Sequence, residues 1–172
     1  MLATPLTAIR AGGGETHPAS GAPTLLILVR HAEKTVGGPD PNLSEEGRAR
    51  AAELARVLAD VKIDALYASQ FQRTQLTLQP LADAIGVSVG VDPIEDEVEA
   101  WAMTFAKRIL AEHRGQTVVV AGHSNTTPVL ARALGAGGVP DLEETDYDDV
   151  FWIIRSGEHV SFAHLHYGAV SD

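Results

Sequence analysis

The 172-residue chain contains no cysteine, which excludes disulfide bonds, thiolate catalysis and cysteine-ligated zinc. Positive charge is also scarce, because 13 Lys and Arg stand against 23 Asp and Glu and give a formal net charge of −10. This excess of negative charge disfavours nucleic acid and anionic membranes as partners. No apolar run approaches the ~18 residues of a transmembrane helix, so we expect no membrane segment. The length favours one globular domain.

The first 23 residues differ in composition from the rest. Residues 1–23 are rich in Gly, Ala, Pro and Thr and lack a sustained hydrophobic period, so we expect a flexible lead-in before one domain at 24–172. They also lack the charged start and long apolar centre of a signal peptide. We expect a cytoplasmic protein, with export after removal of a signal sequence as the alternative. The sequence indicates no oligomeric state.

From Thr24 onward, strand-like and helix-like segments alternate. Short apolar runs predict strands at Thr24–Val29, Ala65–Ala68, Val87–Val91 and Thr117–Ala121. Helices are predicted from the N-cap Ser44 onward and over Gln72–Ile85 (interrupted by Pro80), Val98–His113 and Thr127–Leu134. The stretch 148–168 predicts two further strands joined by a turn at Ser156–Gly157. This alternation predicts the α/β class, a three-layer α/β/α sandwich whose mainly parallel sheet has an antiparallel addition.

Ionisable groups follow three of the predicted strands. The first strand runs into "RHAEK" (30–34), the second into "SQFQRT" with Arg73, and the fourth into "GHSNT" with His123. Ligands of open α/β sheets bind at the carboxyl ends of the strands, which share one edge. Two arginines and two histidines at that edge predict an anion site, because guanidinium groups match phosphate oxygens.

Four segments in order carry a family resemblance: "RHAEK" (30–34), "LSEEGRARA" (43–51), "YASQFQRTQLT" (67–77) and "VVVAGHSNT" (118–126). With the closing "HYG" (166–168), this set resembles the histidine phosphatase superfamily, which has the phosphoglycerate mutase-like fold. The short distance between the second and third strands is similar to that in its small phosphatase members. The resemblance implies a metal-independent phosphatase that needs no cofactor and works through a phosphohistidine.

The resemblance also implies roles for individual residues. His31 would be the nucleophile, Arg30 and Arg73 would neutralise the phosphoryl oxygens, and His123 would donate to the transferring group. An imidazole is a competent nucleophile near neutral pH, and phosphoryl transfer depends mainly on positioning and on surrounding cations. Lys34 and Asn125 are expected to contact the substrate, although Lys34 would be exposed by default and Asn125 could instead cap the following helix.

The general acid that protonates the leaving oxygen is less clearly indicated. Larger members of the superfamily use a glutamate after the third strand, where this chain reads "VDPIEDEVEAW" (91–101). Glu95 is the favoured candidate, and Asp96, Glu97 and Glu33 are the alternatives. The acid branch of the superfamily places an aspartate after the second histidine, but this chain has Ser124 there.

Three other functions stay open, and one of them is a protein phosphatase that acts on the phosphohistidine of a signalling domain. A phosphomutase would use the same intermediate, but Ala32 stands where the mutase motif carries glycine. A non-catalytic module could have kept the pocket to bind phosphate or a phosphoprotein. In each case the expected partner is a small phosphorylated substrate or a phosphoprotein, approached past the loops Thr35–Asn42 and Gly135–Tyr147.

His164 and His166 lie two residues apart on a predicted strand and therefore face the same side, which could suit a metal ion. No third ligand is evident from the sequence, so we expect a structural role and predict no metal site. The larger aromatic residues are expected to lie in the core or in a pocket wall: Trp101, Phe105, Phe151 and Trp152.

Overall fold

The computed structural model describes residues 21–95 and 97–171. The predicted lead-in therefore lies almost entirely outside the described residues, and so does Asp96. Within the described part, the elements in chain order are β1 (Thr24–Arg30), α1 (Glu45–Val57), β2 (Ala65–Ala68), α2 (Gln72–Ile85), β3 (Val89–Val91), α3 (Val98–Glu112), β4 (Thr117–Gly122), α4 (Thr127–Ala133), β5 (Asp149–Ser156) and β6 (His159–His166). No helix among them is long and apolar enough to cross a bilayer.

The six strands form one mixed sheet in the order β3-β2-β4-β1-β5-β6. The first four in that order are parallel to one another, and β1 pairs with β4 from Leu25 opposite Thr117 to Arg30 opposite Gly122. Strand β5 runs antiparallel to β1, and β6 runs antiparallel to β5. The predicted parallel sheet with an antiparallel addition is confirmed.

Helices cover both faces of this sheet. Alternate residues of β1 point to opposite faces, so Leu26 and Leu28 pack with α3 and α4 while Ile27 and Val29 pack with α1 and α2. The three-layer prediction is therefore correct. The prediction for the aromatic residues also holds. Trp101, Phe105 and Phe151 are buried in the apolar layer that contains Leu26 and Leu28, and Trp152 packs against the layer on the other face of the sheet.

Most predicted boundaries agree with the structure to within two residues. Helix α2 continues through Pro80, because the buried residues Leu78 and Leu81 on either side of it pack against the sheet and hold the helix in place. The helix ends where Gly86 adopts a left-handed conformation (φ 71°), which glycine tolerates best. Strand β1 extends one residue further than predicted, so Arg30 belongs to the sheet.

Candidate active site

His31 follows β1 directly and is held by the sheet. Its backbone N–H donates to the Gly122 carbonyl across 2.8 Å, and its side chain is buried. The ring Nδ1 lies 2.8 Å from the Ala32 carbonyl. Because a carbonyl can only accept a hydrogen bond, Nδ1 must carry the proton. The lone pair of the neutral ring is therefore on Nε2, the atom that would attack phosphorus.

The electrostatic environment keeps His31 neutral. Burial is the largest cause that lowers the pKa of His31, and with the charges of Arg30, Arg73 and Lys34, against the opposing effect of the Ala32 carbonyl, it brings the pKa to about 4. A histidine with this pKa is unprotonated at pH 7. Burial and neighbouring cations thus keep the ring in its nucleophilic form.

His123 lies beside His31 at the end of the neighbouring strand, with ring centroids 5.3 Å apart. Its Nδ1 is 3.4 Å from Arg73 Nη2, and its Nε2 is 2.9 Å from Ser69 Oγ. A guanidinium only donates, so Nδ1 accepts and the proton of the neutral ring is on Nε2. Burial, followed by the effects of His31, Arg73 and Arg30, lowers the pKa of His123 to about 3, which agrees with a neutral ring.

Ser69 is a site residue that the sequence did not single out. It follows β2 and accepts the Nε2 proton of His123, and its hydroxyl lies 3.0 Å from the Thr74 hydroxyl. Thr74 Oγ1 in turn donates to the Phe71 carbonyl across 2.8 Å. The position of Ser69 inside the "YASQFQRTQLT" motif was the available signal, but its contact with His123 depends on two strands meeting in space.

Arg30 is almost fully buried, at 1 % exposure. Its Nη1 donates to the carbonyls of Glu143 (2.8 Å) and Asp146 (3.1 Å), and its guanidinium lies 4.1 Å from the Tyr147 ring centroid. The loop between α4 and β5 thus fixes this arginine. Its buried Nε has no hydrogen-bond acceptor among the described residues, so a donor is available to a ligand.

Arg73 lies in the first turn of α2 and presents a second guanidinium. It lies 4.5 Å from the Phe71 ring centroid, and its Nε is also buried without an acceptor in the described part of the chain. Burial lowers the pKa of Arg73 from its usual value, although an arginine stays charged near neutral pH. Two buried donors without acceptors, on two cations, are the features expected of an anion pocket.

Carboxylates from the loops Thr35–Asn42 and Gly135–Tyr147 approach these two arginines. Asp40 Oδ1 is 3.7 Å from Arg73 Nη1, and Glu144 Oε2 is 3.5 Å from Arg30 Nη2. A hydrogen bond from Ser124 lowers the pKa of Glu144, and the nearby cations lower it further. An entering anion would therefore compete with these two carboxylates for the arginines.

The remaining predicted site residues occupy different positions. Lys34 is exposed but close enough to lower the pKa of His31. Asn125 is exposed in the turn before α4, and Thr126 is the N-cap residue of that helix. The Thr126 hydroxyl accepts from the His123 backbone N–H at 2.9 Å rather than capping the helix.

The candidates for the general acid differ in their contacts and exposure. The Glu33 carboxylate accepts from Nε and Nη2 of the buried Arg50 at 2.7–3.0 Å, which commits it to that ion pair. Glu97 is the exposed N-cap residue of α3. Glu95 is exposed and directly follows Ile94. The backbone N–H and carbonyl of Ile94 both form hydrogen bonds with the side chain of Gln70, which is adjacent to Ser69 in the chain. Glu95 therefore stays a prediction, on a segment tied to the edge of the site.

Comparisons with known proteins identify similar sequences and folds. The family model of the histidine phosphatase superfamily (branch 1) matches residues 26–101. Phosphoserine phosphatase 1 of Hydrogenobacter thermophilus is 41% identical over 71 residues, which are 37% of this chain and 34% of that protein. A 2,3-bisphosphoglycerate-dependent phosphoglycerate mutase of Brucella ovis is 35% identical over 81 residues, or 42% and 39% of the two chains. The chain thus spans between a third and two fifths of the length of these curated relatives.

Solved structures extend the similarity of fold over most of the chain. A mycobacterial glucosyl-3-phosphoglycerate phosphatase superposes with a TM-score of 0.66 at 17% identity, covering 86% of this chain and all of that one. The phosphoserine phosphatase of Entamoeba histolytica, solved in complex with phosphoserine, gives a TM-score of 0.60 at 17% identity over 81% and 94% of the two chains. The family match over residues 26–101 and the ordered motifs make this chain similar to the histidine phosphatase superfamily, and the solved structures show that it shares their fold.

Proposed function

We propose that this protein is a metal-independent phosphatase that hydrolyses phosphomonoesters through a covalent phosphohistidine on His31. The observation that carries the proposal is the state of His31, which is neutral, has its proton on Nδ1 and is packed beside two cations whose buried Nε donors have no acceptor among the described residues. A neutral nucleophile is thereby placed where an anionic phosphoryl group would be bound.

In the first step, Nε2 of His31 attacks phosphorus and the bond from phosphorus to the ester oxygen breaks. Arg30 and Arg73 hold the non-bridging oxygens, where negative charge must be stabilised in the transition state. The leaving oxygen takes a proton from Glu95, the candidate acid. The products of this step are the free alcohol, a phosphorylated His31 and an ionised Glu95.

His123 needs a change of proton position in order to help. Its Nδ1 accepts from Arg73 in the structure, so it cannot donate to a phosphoryl oxygen in that form. A bound phosphate brings negative charge close to the ring, which raises the pKa of His123 and favours its protonation. The proton comes from the monoanionic form of the ester, whose second pKa is about 6. His123 can then donate from Nδ1 while Nε2 stays bonded to Ser69.

In the second step, water attacks the phosphorus of the phosphohistidine. Glu95 takes a proton from that water, and the bond from phosphorus to Nε2 breaks. Inorganic phosphate leaves, and His31 and Glu95 return to their starting protonation states. The same two arginines serve both steps, because each step places charge on the same oxygens.

The relatives suggest small phosphorylated metabolites as substrates. One matched relative is a phosphoserine phosphatase and another is a phosphoglycerate mutase. Asp40 and Glu144 beside the two arginines disfavour polyphosphates, because additional phosphates would meet these carboxylates. Phosphoserine and 3-phosphoglycerate are therefore the first natural esters to compare. The mutase similarity makes a phosphomutase the second candidate, and it would transfer phosphate between substrate positions with little release of free phosphate.

The test is release of inorganic phosphate from p-nitrophenyl phosphate in the presence of EDTA. We expect the wild type to turn over and His31→Ala to lose activity by at least about 1,000-fold, since nucleophile removal eliminates the covalent route. His159→Ala is the matched control, because this histidine is exposed on β6, at the end away from Arg30, and it should keep wild-type activity.

Quenching in alkaline detergent, in which a phosphorus–nitrogen bond survives, should trap labelled phosphate on the wild type during turnover and none on His31→Ala. An inert wild type would overturn the phosphatase proposal and favour a phosphate-binding module, because p-nitrophenol leaves with little help from an acid. If the labelled, phosphorylated form of this protein passed its phosphate to a second metabolite and not to water, the phosphomutase would be favoured.

A further inference from the structure

A second cluster of functional groups lies at the β5–β6 edge of the sheet and shares no residue with the phosphate pocket. His164 and His166 project from the same face of β6, and Asp149, the first residue of β5, pairs directly with His166. One ligand atom from each of these three residues lies within 4.8 Å of the other two. The fold thus supplies the third ligand that the sequence did not reveal.

The spacing of these atoms suits a single metal ion. His166 Nδ1 is 3.7 Å from Asp149 Oδ1, and His164 Nε2 contacts the same oxygen. In tetrahedral zinc sites, bonds of about 2.0–2.1 Å place neighbouring ligand atoms roughly 3.3 Å apart. The 3.7 Å separation between His166 Nδ1 and Asp149 Oδ1 is close to that spacing.

Burial and charge also favour a cation at this position. The Asp149 side chain is 7% exposed, whereas those of His164 and His166 are 29% and 60% exposed. A fixed buried carboxylate with two more open imidazoles leaves a path for the ion and room for water as a fourth ligand. Asp148 Oδ2 lies 3.5 Å from His166 Nδ1, so two carboxylates offset the charge of a dication.

A neighbouring aromatic ring helps to orient one ligand. Phe151 pairs with His164 across the strands, and the two ring centroids are 4.7 Å apart. This contact holds the His164 imidazole on the face that carries Asp149. Packing that fixes a ligand ring before the ion arrives increases metal affinity, because less ordering remains to be done on binding.

We propose that Asp149, His164 and His166 form a binding site for a divalent transition metal ion, with zinc as the probe. Two imidazoles and one carboxylate suit zinc and its neighbours in the transition series, whereas magnesium and calcium prefer sites made only of oxygen. The site is separate from the phosphate pocket and does not depend on the proposed catalysis.

Zinc binding to the full chain tests this site, by isothermal titration calorimetry and by the zinc-induced change in the thermal midpoint of unfolding. We expect one zinc ion per wild-type chain and a raised midpoint, because a ligand that binds only the native state stabilises it. His164→Ala and His166→Ala should each weaken binding by at least about 10- to 100-fold. His159→Ala, an exposed histidine at the other end of β6, should bind as the wild type does.

Other outcomes would overturn the proposal. Binding that is lost in His31→Ala but kept in His166→Ala would place the zinc in the phosphate pocket. No binding by the wild type, or equal weakening by His159→Ala, would leave the cluster as an ion pair between Asp149 and His164. Thermal unfolding of each variant in EDTA checks its fold, and His166→Gln, at the most exposed ligand, provides a second variant that should fold.

Discussion

At the residue scale, the candidate site consists of two arginines and two buried, neutral imidazoles. Arg30 and Arg73 each keep a buried Nε without an acceptor in the described chain, and both histidines have lowered pKa values. Removing such groups from water is unfavourable unless a partner compensates. Under the proposed function, a phosphate would be the partner that accepts hydrogen bonds from both arginines.

Ser69 is expected to position His123 for catalysis. Ser69→Ala removes the acceptor of the His123 Nε2 proton and leaves a buried donor unpaired, at a cost of about 1–3 kcal/mol. We expect kcat/KM for p-nitrophenyl phosphate to fall about 10- to 100-fold. Long-range nitrogen–proton NMR of the His123 ring should show a smaller population of the Nε2–H tautomer.

Ser124→Ala is the matched control for this prediction. Ser124 directly follows His123, but its hydroxyl donates to Glu144 rather than to the imidazole. This variant should keep the wild-type distribution of His123 tautomers. An unchanged tautomer distribution in Ser69→Ala would contradict a positioning role.

At the element scale, helix α1 supports the loop that carries His31, the proposed nucleophile. Arg50 of this helix donates to the Glu33 carboxylate and, across 2.9 Å, to the Tyr167 carbonyl near the end of the chain. Gly47 lets the helix approach closely, because a Cβ built there would lie 2.0 Å from the Glu33 carbonyl oxygen. The "LSEEGRARA" motif therefore acts on the site indirectly, through Glu33, two residues after His31.

Gly47→Ala is expected to push α1 away from this loop. A methyl group cannot occupy that position unless backbone moves, and overpacking of this kind costs about 1–3 kcal/mol. The free energy of unfolding, measured by urea denaturation, should fall by that amount, and phosphatase activity should fall with it. Gly137→Ala is the control, because a Cβ there has no atom within 4 Å. Equal stability of Gly47→Ala and wild type would contradict this prediction, because it would show that the loop containing Glu33 can move at little cost.

At the scale of the whole molecule, the two buried histidines link stability to pH. An unfolded histidine has a pKa of about 6.5, whereas the native values are about 4 for His31 and about 3 for His123. Below pH 6.5 the unfolded chain therefore takes up protons that the native chain does not. The contribution of these two histidines to the free energy of unfolding is therefore present above pH 6.5 and is lost progressively as the pH falls toward the native pKa values.

Between pH 7 and pH 5, each of these histidines is expected to lower the free energy of unfolding by about 2 kcal/mol. The measurement is urea denaturation of the wild type and of a His31→Gln/His123→Gln double variant at both pH values. The double variant should lose less stability than the wild type over this interval. His159→Gln, in which an exposed histidine is replaced, should follow the wild type. Parallel losses in wild type and double variant would contradict the assigned pKa shifts.

The sequence alone was sufficient for the fold class and for the residues that gather at the strand ends. Hydrophobic runs, helix caps and βα alternation are local signals, and they predicted the parallel sheet with its antiparallel addition. Arg30, His31, Arg73 and His123 could be proposed because each directly follows a strand or begins the next helix. Parallel strands then bring them to one edge of the sheet.

Only the tertiary structure decided which groups meet across distant segments. The proton positions of His31 and His123, the contact with Ser69, the pairing of Glu33 with Arg50 and the position of Asp149 beside two histidines all depend on three-dimensional proximity. The partners in most of these contacts are separated by 15 to 54 residues, so no local pattern encodes them. The exception is the contact of His31 with the carbonyl of the adjacent residue Ala32. The sequence determined which chemical groups are present at the sheet edge, and packing determined their protonation and their partners, because burial and neighbouring charge arise only in the folded chain.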